Sequence, residues 1–89
     1  MTKELLLFTT PYCSVCPQMK QRLKRVLENK TDITYKEIDA TTEEGRPLSQ
    51  QYRVMSAPVV IYLEDGVQIG YLNGLKNEDE IENMIKGEN

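Results

Sequence analysis

The stretch ELLLFTTPYCSVC, residues 4–16, decides how this chain folds. Its continuously apolar run at residues 5–8 predicts a β-strand that is buried on both faces. Pro11 disfavours helical backbone at the residue before it, so a turn follows the strand. Cys13 and Cys16, the only two cysteines of the chain, come next, where an apolar pattern with helical spacing begins. The stretch therefore predicts a strand–turn–helix unit with both thiols at its junction.

In the rest of the chain, segments with the apolar spacing of a helix alternate with segments typical of strands. A capping-box pattern at residues 41–44 predicts the start of a short helix, and Asp65-Gly66 predicts a tight hairpin turn. The predicted order is β-α-β-α-β-β-α, an α/β fold whose four-stranded mixed sheet is flanked by three helices. The predicted strands are 4–8, 33–39, 59–63 and 67–72, and the predicted helices start near residues 13, 41 and 77, with the first ending near residue 30.

Length and composition limit what the protein can be. Its 89 residues suffice for one domain, which we expect to span residues 1–89. The net charge of −3 is mild and shows no basic patch, so we expect no nucleic-acid binding. No apolar run approaches the ~20 residues of a membrane span, and we expect no membrane partner. Residues 1–4 do not resemble a secretory signal, which leads us to expect a cytoplasmic protein.

The Cys13-x-x-Cys16 pair is the candidate catalytic centre. Residues three apart on a helix lie on one side, with Cα atoms roughly 5 Å apart, which suits a disulfide. In a reducing compartment such a pair favours redox chemistry. Cys13, before or at the helix start, is expected to attack, and Cys16, a turn further in, to resolve the mixed disulfide. A zinc half-site and two inert buried cysteines stay open, although the chain has no histidine to complete a zinc site.

Other residues have structural interpretations from sequence. Pro58 immediately precedes the strongest strand signal, where a proline without a function is ordinary. Asp39 ends the second strand, where a structural role is expected. The methionine and tyrosine side chains of Met55, Tyr52 and Met84 are predicted to lie in the core.

The order of motifs along essentially the whole chain resembles that of the thioredoxin and glutaredoxin superfamily. These motifs are a strand, the C-x-x-C, a helix, Ala57-Pro58 before a further strand, and a hairpin followed by Gly74. The resemblance implies a thioredoxin-like fold, a cis peptide bond at Pro58 close to the disulfide, and backbone groups of Ala57 that receive an extended substrate. It also implies an acid beneath the resolving cysteine, but Leu7 stands near that position. The implied apolar collar around Cys13 consists of Tyr12, Val15, Ala57, Pro58 and Leu75. Gly74 is a further residue that the resemblance implies for substrate binding.

The motifs combine features of two branches of the superfamily, the glutaredoxins and the thioredoxins. The length and the Pro11-Tyr12-Cys13 entry resemble a glutaredoxin, whereas the hairpin and Gly74-Leu75 resemble a thioredoxin. A basic residue before the entry and a Gly-Gly pair, both expected for glutathione docking, are missing. Small redoxins with a glutaredoxin-sized body and thioredoxin-like behaviour combine these features.

The resemblance implies a dithiol–disulfide oxidoreductase that reduces protein disulfides and needs no cofactor of its own. Ribonucleotide reductase is a candidate substrate, and a thioredoxin reductase-like flavoenzyme would return the electrons. We expect a monomer. A glutathione-dependent glutaredoxin, a metal-binding dimer and a non-catalytic interaction module are the alternatives that the residues leave open.

Overall fold

A single mixed sheet organises the protein. The computed structural model describes residues 2–87 and has the predicted order β-α-β-α-β-β-α. The strands lie in the order β2-β1-β3-β4, with β2 parallel to β1, and β3 antiparallel to both β1 and β4. The elements are β1 (Lys3–Thr9), α1 (Cys16–Leu27), β2 (Ile33–Asp39), α2 (Gly45–Gln51), β3 (Val59–Glu64), β4 (Val67–Asn73) and α3 (Glu78–Lys86).

The two central strands are apolar throughout because helices cover both faces of the sheet. Alternate residues of β1 enter different cores, with Leu5 and Leu7 on one face and Leu6 and Phe8 on the other. The first core includes Met19 and other residues of α1 and α3, and the second packs against α2. The candidate site lies in the turn after β1 and in the loop before β3, at one end of these two buried strands.

Helix α1 begins later than predicted. The sequence pattern placed its start near Cys13, but residues 13–15 form turns and Cys16 is the first helical residue. A hydrogen bond from the N–H of Cys13 to the carbonyl of Thr10 (3.2 Å) closes the preceding turn, so the helical bonds start only with Met19 to Val15 (3.0 Å). The expectation that Cys16 lies a full turn inside the helix is therefore wrong. The helix also ends at Leu27 rather than near residue 30.

Helix α2 also begins later, at Gly45 instead of in the capping-box segment 41–44. The capping-box pattern places the capping hydroxyl on Thr41. In the structure the hydroxyl of the next residue, Thr42, accepts a hydrogen bond from the N–H of Gly45 (2.9 Å). Asp39 accepts hydrogen bonds from the N–H and hydroxyl of Thr41 (2.8 and 2.6 Å). Asp39 thus has the predicted structural role.

The C-terminal half matches its sequence signals closely. Asp65 and Gly66 adopt positive φ angles of 53° and 79°, as a tight hairpin turn requires. Asn77 caps α3 by accepting a hydrogen bond from the N–H of Glu80 (2.8 Å). Within residues 2–87, none of the helices has the length and apolar character needed to cross a membrane.

Candidate active site

Cys13 and Cys16 form a disulfide in which the two sulfur-bearing residues differ in exposure. Their Cα atoms are 5.4 Å apart, close to the separation predicted from helical spacing. Cys16 is only 5% exposed, whereas Cys13 is partly exposed. An external thiol or disulfide can therefore reach one cysteine and not the other.

The position of the disulfide follows from local sequence. The turn after β1 places Cys13 in front of the first turn of α1, and Pro17 is tolerated there because first-turn N–H groups need no helical partner. The unpaired N–H groups and the helix dipole at that end favour negative charge. A sulfur that becomes a thiolate at this end of α1 is stabilised.

The antiparallel pairing of β3 with β1 brings a second loop to the cysteines. Phe8, near the end of β1, lies opposite Val59 at the start of β3. The residues before β3 therefore lie at the same end of the sheet as the disulfide. The Ala57–Pro58 peptide bond in this loop is cis, as the resemblance implies.

Hydrogen bonds join this loop to the segment after β4. The N–H of Gly74 donates to the carbonyl of Pro58 (2.8 Å), and the Ser56 hydroxyl donates to the side chain of Asn73 (2.9 Å). Arg22 of α1 donates to the carbonyl of Lys76 (2.9 Å). The three loops around the disulfide are thus held by the sheet and by α1.

A surface groove with a volume of about 450 Å³ opens beside Cys13. Tyr12 and Met55 flank it with side chains that are 91% and 94% exposed. Within residues 2–87, the backbone N–H and C=O of Ala57 have no hydrogen-bond partner. Uncharged residues line this groove, which we call the Cys13 groove: Thr10, Tyr12, Cys13, Ala40, Thr41, Ser49, Val54, Met55, Ser56 and Ala57.

The structure gives the positions of the residues predicted to form the apolar collar, and their role in substrate binding stays a prediction. The Cys13 groove contains Tyr12 and Ala57, but its lining does not include the other predicted members. Pro58 is buried, so its ring cannot be a docking surface and acts by shaping the loop. Leu75 is partly buried and packs against the first core. Val15 and Gly74 are partly buried outside the groove lining.

Met55 is the site residue that sequence reasoning missed. It was predicted to lie in the core. The helix ends at Gln51, and Arg53 adopts a left-handed backbone with φ of 56°, which turns Met55 outward. Tyr52 and Met84 are partly buried against the two cores, in agreement with the prediction.

A second, smaller groove of about 290 Å³ lies on the Cys16 side of the disulfide. Its two charged residues are Lys20 of α1 and Glu37 of β2, whose Nζ and Oε1 atoms form an ion pair at 3.2 Å. We call this the Cys16 groove; its lining is Thr9, Thr10, Pro11, Cys13, Cys16, Pro17, Lys20 and Glu37.

A nearby carboxyl group, that of Asp39, is committed to structure. The hydroxyl of Thr41, and then its N–H, hold the pKa of Asp39 below its ordinary value of 3.8. In the part of the chain from 2 to 87, no group of three or more His, Cys, Asp or Glu side chains is arranged to hold a metal ion.

An asymmetric disulfide before a helix, beside a cis-proline loop on a β2-β1-β3-β4 sheet, defines a protein of the thioredoxin-like redox class. The family model described as Thioredoxin matches residues 2–87, and the chain belongs to the thioredoxin family. It is a dithiol–disulfide oxidoreductase that acts on disulfide substrates together with a redox partner.

Comparisons with individual proteins agree with this assignment. Over 79 residues the chain is 24% identical to thioredoxin from Mycoplasmoides gallisepticum, which covers 89% of this chain and 77% of that protein. It is 28% identical over 83 residues to NADPH-dependent thioredoxin reductase 3 from Arabidopsis thaliana, covering 92% of this chain but only 15% of that protein. The structure of an N21Q mutant thioredoxin from Halobacterium salinarum superposes with a TM-score of 0.81 at 26% identity, covering 96% and 73% of the two chains.

Proposed function

We propose that this protein reduces disulfides in other proteins, with Cys13 as the attacking residue and Cys16 as the resolving residue. The observation that carries the proposal is the difference in exposure within one disulfide: Cys13 meets solvent and Cys16 does not. A substrate disulfide is too large to reach a cysteine residue that is only 5% exposed. It must therefore meet Cys13 first.

The proposed reaction has two exchange steps. The Cys13 thiolate attacks one sulfur of the substrate disulfide, and the other substrate sulfur leaves as a thiolate. The Cys16 thiolate then attacks the sulfur of Cys13, and the second substrate thiolate leaves. Two electrons pass to the substrate, and the Cys13–Cys16 disulfide is formed.

We propose that the substrate lies in the Cys13 groove as an extended segment. Strand-like peptides bind through backbone hydrogen bonds, and the free N–H and C=O of Ala57 can supply them. The exposed side chains of Tyr12 and Met55 offer apolar contact on either side. An uncharged groove suits apolar or neutral residues next to the substrate cysteine.

The electron source in this proposal is a flavin- and nicotinamide-dependent thioredoxin reductase-like enzyme. The similarity to a segment of NADPH-dependent thioredoxin reductase 3 supports this pairing. We further propose a monomer that works in the cytoplasm, with ribonucleotide reductase among its candidate substrates. Re-reduction by such a reductase with NADPH, compared with re-reduction by glutathione alone, distinguishes this source from a glutaredoxin-type cycle.

The assignment of roles is tested by trapping mixed disulfides. Cys16→Ser should accumulate a stable covalent adduct with a disulfide-bonded protein such as insulin, visible on a non-reducing gel and lost on reduction. Cys13→Ser should form no adduct, although it retains the same number of thiols. Stable adducts through Cys16 and none through Cys13 would reverse the assignment.

A further inference from the structure

The two most exposed large apolar side chains within residues 2–87, those of Tyr12 and Met55, both flank the Cys13 groove. Met55 is 94% exposed, whereas the exposed apolar side chains of β4 reach at most 62%. Met55 therefore presents its thioether sulfur to solvent beside the reactive disulfide.

The backbone on both sides of Met55 is held in place, so its exposure belongs to the fold. The N–H of Val54 donates to the carbonyl of Ser49 (2.7 Å), and the side chain of Val54 packs against the second core. On the other side, the hydroxyl of Ser56 donates to the side chain of Asn73 (2.9 Å). Met55 lies between these two anchors and points into water.

The other methionines of the described chain are protected from an oxidant in solution. Met19 is completely buried in the first core. Met84 is partly buried, and its sulfur lies against the backbone of Gly70, only 2.7 Å from where a Cβ atom at that glycine would stand. Oxidation of a methionine to its sulfoxide requires access to the sulfur. Among residues 2–87, the methionine most open to this reaction is Met55.

Oxidation of Met55 would change the character of the groove. The sulfoxide is polar and accepts hydrogen bonds from water, whereas the thioether is apolar. The groove is lined by uncharged residues, and a docked segment would remove water from the sulfoxide without replacing its hydrogen bonds. The cysteines are joined in a disulfide and offer no thiolate to the oxidant. The expected result is weaker docking with intact cysteine chemistry.

We propose that Met55 is a modification site at which a peroxide controls substrate docking. The Met55 sulfur attacks one oxygen of hydrogen peroxide, and the O–O bond breaks. The sulfur keeps that oxygen as the sulfoxide, and the other oxygen leaves as water with both hydrogens. The sulfur loses two electrons and the peroxide gains them. Methionine sulfoxide reductases reverse the change. This inference rests on the proposed docking of substrates in the Cys13 groove.

Treatment of the disulfide form with hydrogen peroxide tests the site. After the peroxide is removed, peptide mass spectrometry should show one added oxygen atom on Met55 at least about tenfold sooner than on Met19 or Met84. The treated protein is then reduced and assayed for steady-state reduction of insulin. KM should rise on the order of tenfold, as expected for a polar group that loses water on binding. The value of kcat should stay within about twofold because the cysteines are unmodified.

Two variants control this experiment. Met55→Leu keeps an apolar side chain that peroxide does not oxidise, so its KM should be the same before and after treatment. Met84→Leu, which removes a methionine outside the groove, should show the same rise in KM as the unmodified protein.

Three results would overturn the role of Met55. These are oxidation of Met19 or Met84 as fast as Met55, an unchanged KM once Met55 is fully oxidised, and an equal rise in KM in Met55→Leu. Failure of the untreated protein to reduce insulin would instead overturn the proposed function on which this inference rests.

Discussion

At the scale of single residues, the site depends on which side chains meet solvent. Cys13 and Cys16 are chemically identical, and their spacing suits a disulfide. The turn closed by Thr10 leaves Cys13 partly exposed, while Cys16 begins α1 facing the core. The proposed division of labour follows from this difference in contact with water.

Met55 provides a prediction at this scale. Met55→Ala should raise KM for a protein disulfide by up to about tenfold, equivalent to about 1.4 kcal/mol of lost apolar contact. The value of kcat should change little because the cysteines are untouched. The free energy of unfolding should change by no more than ~0.5 kcal/mol, since the side chain is 94% exposed.

Steady-state reduction of insulin checks this prediction. Val67→Ala, which also removes an exposed apolar side chain but from the hairpin, is the matched control and should leave KM unchanged. An unchanged KM in Met55→Ala would remove Met55 from the docking surface.

The residue pattern predicted the two cysteines of the site, and only the resemblance to a known superfamily implied the cis-proline loop. The exposure of Met55 was predicted by neither. Cys13, Cys16 and Pro58 are marked by residue type and by their positions beside strands. Met55 lies beyond the end of α2 and two residues after Arg53, whose φ is positive, and it is exposed. A helical spacing of apolar residues cannot indicate where such a backbone turn falls.

At the scale of elements, both late helix starts have local causes that periodicity does not contain. Turns bonded by side chains or backbone compete with the first helical turn, as in the bonds from Thr41 to Asp39 before α2. The strands were predicted well because continuous apolar runs indicate burial directly. Helix interiors were predicted better than helix ends, because the spacing of buried apolar residues marks the interior of a helix and not its first or last turn.

Gly45 provides a prediction for the start of α2. A Cβ atom at this position would overlap the carbonyl oxygen of Asp39, which is backbone and cannot move aside cheaply. Gly45→Ala should therefore lower the free energy of unfolding by about 2–3 kcal/mol. Urea unfolding measures the change. Gln50→Ala, an exposed position on the same helix, is the control and should lie within ~0.5 kcal/mol of the unmodified protein. Equal stability of the two variants would contradict the close contact.

At the scale of the whole molecule, sheet topology gathers the site. The antiparallel register between β1 and β3 places the cysteine turn, the Ala57–Pro58 loop and the end of β4 at one end of the sheet. The alternation of strands and helices predicted the sheet but not the antiparallel pairing of its two central strands. That pairing depends on packing across the whole chain, which no local pattern encodes.

The stability of the molecule should fall in alkaline solution because burial raises the pKa of two tyrosines, Tyr35 and Tyr62, and the contribution of Tyr62 can be tested by itself. Burial, and then its hydrogen bond to Glu64, raise the pKa of Tyr62 from 10.0 to about 12. The unfolded chain loses this proton first, so the stabilisation is present below pH 10 and is lost between about pH 10 and 12. The expected loss is roughly 2 kcal/mol.

Urea unfolding at a series of alkaline pH values tests this prediction. Tyr62→Phe should remove that part of the pH dependence. Tyr12→Phe, at a side chain that is 91% exposed, should retain it. Identical pH dependence in the two variants would show that Tyr62 is not the group responsible.

The most direct test of the central claim is the rate of alkylation of each cysteine in the fully reduced protein. Brief treatment with iodoacetamide, followed by peptide mass spectrometry, gives the two rates in one sample. Cys13 should be labelled at least about tenfold faster than Cys16, because it is partly exposed and lies before the start of α1. In denaturant the two rates should become equal. Equal labelling in the folded protein, or faster labelling of Cys16, would contradict the account.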